Sequence, residues 1–139
     1  MGIIQINHLL QKTFAKDKGC NKLSIIQTSV EKFQKCIDAC NRCMQVCEEC
    51  LQSCLKEDDV KARERCISLL RDCADICALT SQFMSRNSEF SQQLCELCAT
   101  ICDACAAECE NFKDQHCQQC AAECRRCAQE CRGMAQMVS

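Results

Sequence analysis

A chain of 139 residues is about one domain and is long enough to bury a core. A net charge of −2 with both signs intermixed, no Trp and no Tyr leave neither a basic patch nor a stacking platform, which argues against nucleic acid as a partner. The 47% hydrophobic content includes 20 cysteines, so roughly a third of the chain is apolar in the ordinary sense.

No apolar run approaches membrane-spanning length. The amino-terminal stretch MGIIQINHLLQKTFAKDKG lacks the basic and apolar regions of a secretory signal, and Ile6 stands where a myristoylation motif wants Ser or Thr. The expected address is the cytoplasm, where thiols stay reduced. With no Pro and only three Gly, the chain reads as long unbroken helices.

In chain order, residues 1–20 form a short amphipathic helix, with Ile3, Ile6, Leu10 and Phe14 on one side, Leu9 beside them and Gly19 as the stop. Residues 21–139 form the main domain. Its first helix runs from about Lys22 to Lys56, with Ile26 and Phe33 leading into a series of thiols. Asp58 or Asp59 caps a second helix reaching about Arg86, Asn87 or Ser88 caps a third ending near Asn111, and Asp114 caps a fourth reaching about Gln136. Connections this short make consecutive helices antiparallel neighbours. The predicted fold is an all-α, up-down-up-down four-helix bundle preceded by the extra amphipathic helix.

Nineteen of the cysteines recur in steps of three and four. The first helix carries Cys36, Cys40, Cys43, Cys47, Cys50 and Cys54, and the second Cys66, Cys73 and Cys77. Cys95, Cys98, Cys102, Cys105 and Cys109 lie on the third, and Cys117, Cys120, Cys124, Cys127 and Cys131 on the fourth. Such steps average about 3.5 residues, the period of a seam facing partner helices. Thiols thus occupy the places where Leu and Ile normally build a bundle core. In an antiparallel pair, facing residues share a constant sum of numbers. Cys47 with Cys73 and Cys43 with Cys77 obey one such sum, and Cys109 with Cys117, Cys102 with Cys124 and Cys95 with Cys131 obey another.

Three readings compete for these thiols. Disulfides within a helix are strained, because residues three or four apart hold their Cβ atoms about 5–6 Å apart and a bridge wants about 3.5–4.5 Å. Simple packing suits an isolated buried Cys, and it suits Cys20, which lies outside the seam. A whole seam of thiols points instead to soft-metal binding. Zinc and iron–sulfur clusters want four thiolates arranged on turns and loops. Cu(I) is satisfied by two or three sulfurs, and a Cys-x3-Cys pair such as Cys43/Cys47 or Cys120/Cys124 forms a clamp on one helix face. A monovalent ion replacing each thiol proton also leaves the core neutral, whereas Zn(II) on four thiolates leaves −2 per site. The expected cargo is therefore many Cu(I) ions, in number close to that of the core thiols, held for storage or buffering. A zinc or general soft-metal sink and an iron–sulfur redox protein are the alternatives. No nucleophile–base pair or phosphate loop suggests an enzyme.

Other candidate ligands sit at the ends of the seams. Met84 and Met134 continue the second and fourth helices, and a thioether suits Cu(I), although a Met at helical spacing more often fills a core. Met44 flanks the seam. His116 precedes Cys117 at the opposite end, where it would guard the mouth of the tube, although a lone His at a helix start is usually just exposed. His8 reads as surface, and Glu48, Glu49, Glu108, Glu123 and Glu130 as a solvated face.

The runs RDCADICAL, CELCATICDACAAEC and HCQQCAAECRRCAQEC resemble the bacterial copper storage proteins, in particular their cytosolic branch, over residues from about 30 to 136. The resemblance implies a homotetramer of four-helix bundles filled with Cu(I), with a histidine in the position of His116 near the entrance. Copper would come from a chaperone or a low-molecular-weight donor. Cys20 and the amino-terminal stripe are not part of the pattern.

Overall fold

The computed structural model describes residues 29–137. A 3-10 turn, Ser29–Phe33, leads into α1 (Gln34–Cys54). A second 3-10 turn, Val60–Arg63, precedes α2 (Glu64–Ser85), followed by α3 (Ser91–Cys109) and α4 (Gln115–Met137). These helices form the expected up-down-up-down bundle, each packed against two neighbours. The expected amino-terminal helix and Cys20 lie outside the described residues.

Two kinds of interface close the ring. The hairpins α1–α2 and α3–α4 pack most closely. In the second hairpin, buried alanines recur every seven residues, Ala99 and Ala106 on α3 and Ala121, Ala128 and Ala135 on α4. Such small side chains let two backbones approach, and the thiols beside them turn into the centre. The interfaces between hairpins, α1 with α4 and α2 with α3, are bolted outside by ion pairs: Arg42 with Glu123 at 2.7 Å, Lys35 with Glu130 at 3.4 Å and Arg65 with Glu108 at 3.0 Å. Glu108, Glu123 and Glu130 are thus half-buried bridges between helices, while Glu48 and Glu49 are exposed. Solvent screening keeps the contribution of each such pair small.

The helix ends refine the sequence reading. Asn87 takes a left-handed conformation, φ 52°, and closes α2 instead of opening α3. The Ser88 N–H reaches Phe83 O at 3.0 Å and the Asn87 N–H reaches Met84 O at 3.0 Å, a Schellman closure that satisfies two terminal carbonyls. Ser88 then serves α3, its Oγ accepting the Phe90 N–H at 3.2 Å. Asp59 precedes the 3-10 turn without a side-chain capping bond, because its carboxylate is engaged by Arg63.

Along the seam of α2, Leu70, Thr80 and Met84 take places that thiols hold on the other helices, and all three are fully buried. The Thr80 Oγ1 has no hydrogen-bond partner among the described residues. The alanine seam yields a first prediction. Ala106→Leu, at a position with 0% exposure, should destabilise the metal-free protein by about 1–3 kcal/mol through overpacking, read as a lower urea midpoint. An unchanged midpoint would show that the hairpin has room to spare.

Candidate metal centre

All nineteen cysteines of the seam are buried and unpaired by disulfides. Their sulfurs meet mainly across the inter-hairpin interfaces. Between α1 and α4, Cys36 stands 3.6 Å from Cys131, Cys43 stands 3.7 Å from Cys124, and Cys54 stands 3.8 Å from Cys117. Between α2 and α3, the pairs are Cys66/Cys109 at 3.7 Å, Cys73/Cys102 at 3.6 Å and Cys77/Cys98 at 3.7 Å. The register expected within the α1–α2 hairpin also holds: Cys43 with Cys77, and Cys47 with Cys73, belong to groups whose sulfurs lie within 4.8 Å of one another.

Those groups share a plan. Cys73/Cys77, one Cys-x3-Cys clamp on α2, is joined by Cys43 from α1 and Cys102 from α3. Cys43/Cys47 on α1 gathers Cys73 and Cys124, Cys120/Cys124 on α4 gathers Cys47 and Cys105, and Cys127/Cys131 gathers Cys40 and Cys98. Each group is thus one clamp plus one thiol from each of the two helices packed against it. Cys43, Cys47, Cys73 and Cys124 each belong to two groups, and Cys77 stands 3.9 Å from Cys127 of the fourth, so these sulfurs form a connected lattice and not a row of separate sites.

The two ends differ. At one, Phe33, Met84 and Met134 are buried around Cys36, Cys95 and Cys131, and the Cys95 Sγ–H points to Met84 Sδ at 3.8 Å. This end is closed and apolar. Met44 is only half-buried. At the other end, His116 Nδ1 lies 3.5 Å from both Cys50 and Cys117, and its Nε2 lies 3.1 Å from Glu57 Oε1. If Nε2 carries the proton and donates to Glu57, the Nδ1 lone pair is left facing the thiols, the arrangement by which carboxylates orient histidine ligands. His116, Cys50, Cys54 and Cys117 form a further group within 4.8 Å.

One residue at this mouth has no place in the sequence reading. Arg63 is 4% exposed, and its Nη1–H donates to Cys117 at 3.6 Å and Cys54 at 3.9 Å. The signal was available, since Arg63 stands three residues before Cys66 and so extends the spacing of Cys66, Leu70, Cys73 and Cys77 back into the 3-10 turn.

Burial controls the protonation of the thiols. At the mouth, desolvation pushes Cys54 up to about 12, the nearby Cys50 adds to the rise, and Arg63 opposes it. Burial likewise raises Cys117. In the interior, Cys77 is raised chiefly through its contact with Cys102, whereas Cys43 is lowered by the same neighbour, as expected where a proton is shared among crowded sulfurs.

The fold and its interior define a class, the four-helix bundle lined with free thiols. The chain belongs to the copper storage protein family, whose model matches residues 29–136. It is similar to the Cu(I)-bound copper storage protein Csp3 of Bacillus subtilis, at 46% identity over 74% of this chain and 97% of that one, with a TM-score of 0.72. It is also similar to a cytosolic copper storage protein from Streptomyces lividans, solved with five coppers, at 35% identity over 77% and 94% of the two chains and a TM-score of 0.74. The Streptomyces lividans protein loaded with 10 copper equivalents matches at 32% identity over 81% and 93%, with a TM-score of 0.75. No curated protein sequence matches significantly. No described helix is long and apolar enough to cross a membrane.

The raised pKa of Cys54 sets a pH dependence. The folded thiol holds its proton from its ordinary value of 9.0 up to about 12, so its contribution to stability is complete below pH 9 and is lost as pH rises across that window. Under anaerobic reducing conditions the urea midpoint of the metal-free protein should hold up to pH 9 and fall as pH rises from 9 toward 12. An unchanged midpoint would mean that the buried thiols ionise as easily as free ones.

Proposed function

We propose that this protein stores Cu(I) as many ions bound to the thiolates of its core, acting in the cytoplasm as a copper sink and reserve and not as an enzyme. The observation that carries this reading is the sharing of sulfurs between the central clamp groups, where Cys43, Cys47, Cys73 and Cys124 each belong to two. A shared sulfur suits a monovalent ion with two or three ligands. With about one ion per thiolate, each proton lost is replaced by one positive charge, and the buried lattice stays neutral. The ligand set proposed is the nineteen seam cysteines, with His116 at the mouth and Met84 and Met134 at the closed end. The relatives solved with Cu(I), with five coppers and with 10 copper equivalents support this assignment.

The zinc reading differs in a measurable way. Groups of four thiols within 4.8 Å match the ligand number of Zn(II), but discrete tetrahedral sites cannot share most of their sulfurs. Anaerobic titration against a strong chromophoric Cu(I) chelator, with copper counted after gel filtration, should show uptake approaching the number of core thiols. Zn(II) should saturate at far fewer ions and be displaced by Cu(I). Saturation at one or two copper ions would instead mark a carrier or a sensor.

We further propose the homotetramer, with copper supplied by a chaperone or a small-molecule donor. Leu79, Phe90 and Leu97 are 40%, 54% and 49% exposed on α2 and α3 and at the turn between them, and they support an association surface. Light scattering should give about four times the 15.7 kDa chain mass, and a monomer mass would refute the assembly.

A further inference from the structure

Thr80 carries a fully buried hydroxyl on the thiol seam of α2. The residue is 0% exposed, and its Oγ1 has no hydrogen-bond partner among the described residues. Other hydroxyls on these helices take the ordinary remedy, a bond to the carbonyl four residues back. Ser85 Oγ donates to Ser81 O at 2.7 Å, and Thr100 Oγ1 donates to Glu96 O at 3.1 Å. Thr80 makes no such bond to Ile76. A buried hydroxyl without a partner costs stability, whereas Val would fill the same outline without that cost. Packing alone therefore does not call for a threonine here.

The register of the bundle shows what the hydroxyl faces. Across the α2–α3 interface, Cys66/Cys109, Cys73/Cys102 and Cys77/Cys98 are rungs of one ladder, their sulfurs 3.7, 3.6 and 3.7 Å apart. The same register sets Leu70 against Cys105 and Thr80 against Cys95. Leu70 only fills space, but Thr80 brings a proton donor. Cys95 is the first thiol of α3, and with Cys36 and Cys131 it ends the sulfur lattice beside buried Phe33, Met84 and Met134. Its own Sγ–H points to Met84 Sδ at 3.8 Å.

Position at the end matters once the thiols give up their protons. A central thiolate shares its charge with copper on both sides, whereas a terminal one has copper on one side only and keeps more of it. Lys32 lies over the Phe33 ring, 4.9 Å from its centroid, but it is exposed and has no hydrogen bond to a sulfur. A neutral thiol is a weak acceptor, but a hydrogen bond to an ionised group is about twice as strong as one between neutral partners. The Thr80 hydroxyl thus matches a terminal thiolate better than it matches a thiol.

We propose that Thr80 donates a hydrogen bond to the Cys95 thiolate of the copper-loaded protein and so strengthens the hold on Cu(I) at the closed end. As a copper–sulfur bond forms, the Cys95 thiol proton leaves to solvent and the copper stays Cu(I). Thr80 keeps its proton and turns its O–H toward the sulfur. It is a positioning residue and binds no metal. This rests on the Cu(I)-storage reading and adds a residue outside the ligand set.

The test compares the full unaltered chain with Thr80→Val and Thr80→Ser, under anaerobic reducing conditions. In the metal-free protein, Thr80→Val should raise the urea midpoint, because it removes an unsatisfied hydroxyl and keeps the shape. Each protein is then loaded with Cu(I), equilibrated with a chromophoric Cu(I) chelator and crystallised. Anomalous scattering at the copper edge gives the occupancy of ions on Cys95 relative to those on Cys43 and Cys124. Thr80→Val should weaken the ions on Cys95 roughly tenfold against the central ones, and Thr80→Ser, which keeps the donor, should restore them. In the unaltered loaded protein the Thr80 Oγ1 should lie within hydrogen-bond distance of the Cys95 sulfur. A hydroxyl bonded to Ile76 O there overturns the proposal whether or not the variants fold. So does a Thr80→Val protein whose metal-free midpoint falls or whose Cys95 ions are held as before, and so does a Thr80→Ser protein that fails to restore them. A protein that takes no copper from the chelator overturns the storage reading and this role with it, whereas one that fills with the Thr80 hydroxyl turned away overturns the role of Thr80 alone.

Discussion

A thiolate buried without a compensating cation is very unfavourable, and that constraint organises the whole molecule. The metal-free protein meets it by holding protons among its crowded sulfurs, which pack as small hydrophobes and exchange weak S–H contacts at 3.6–3.9 Å. The loaded protein has to meet it by exchanging protons for ions of the same charge. Both states then present a neutral core to the same four helices, and the bundle has no electrostatic reason to open or rearrange as it fills. Rigid helices suit that task because the ligands are spaced by the helix itself.

The same constraint explains why the two ends are unlike. Among the described residues, buried Phe33, Met84 and Met134 line one end with apolar atoms. The other end gathers Arg63, Asp59, Asp114, Glu57 and His116, polar groups of which all but Arg63 reach water. At this end polar side chains thus stand in front of the sulfur lattice. Between the ends, the α3–α4 hairpin is drawn together by alanines, and the thiol-rich interfaces are pinned outside by ion pairs from Arg42, Lys35 and Arg65 to glutamates.

Much of this was legible in the sequence because one physical signal was so dense. Thiols at alternating steps of three and four can share a direction only on a helix, and short connections leave few ways to arrange four such helices. The register of Cys43 with Cys77 and Cys47 with Cys73 followed from arithmetic alone. What the periodicity did not reveal was which interfaces bring sulfurs closest. That depends on Ala106 and its partners, which look like ordinary helix formers until their seven-residue spacing is set beside the thiols. Asn87 and Asp59 were read as helix starts because both residue types favour caps. In the fold Asn87 uses its tolerance of the left-handed region, and Asp59 is claimed by a neighbouring cation. Arg63 was passed over because an arginine beside a turn is normally solvent-exposed. Only its spacing before Cys66 marks it, and only the carboxylates of Asp59 and Asp114, brought in from different segments, explain how a charge is held there.

The claim at the centre of this account is the exchange of one buried proton for one Cu(I) ion. Native mass spectrometry of the anaerobically loaded protein reads it directly, since each bound ion adds the mass of copper less that of every proton it displaces. A neutral lattice predicts that, near full loading, the displaced protons equal the bound ions and the count approaches the nineteen seam thiols. Two or more protons lost per ion at saturation, or a mass series that stops after one or two coppers, would contradict it.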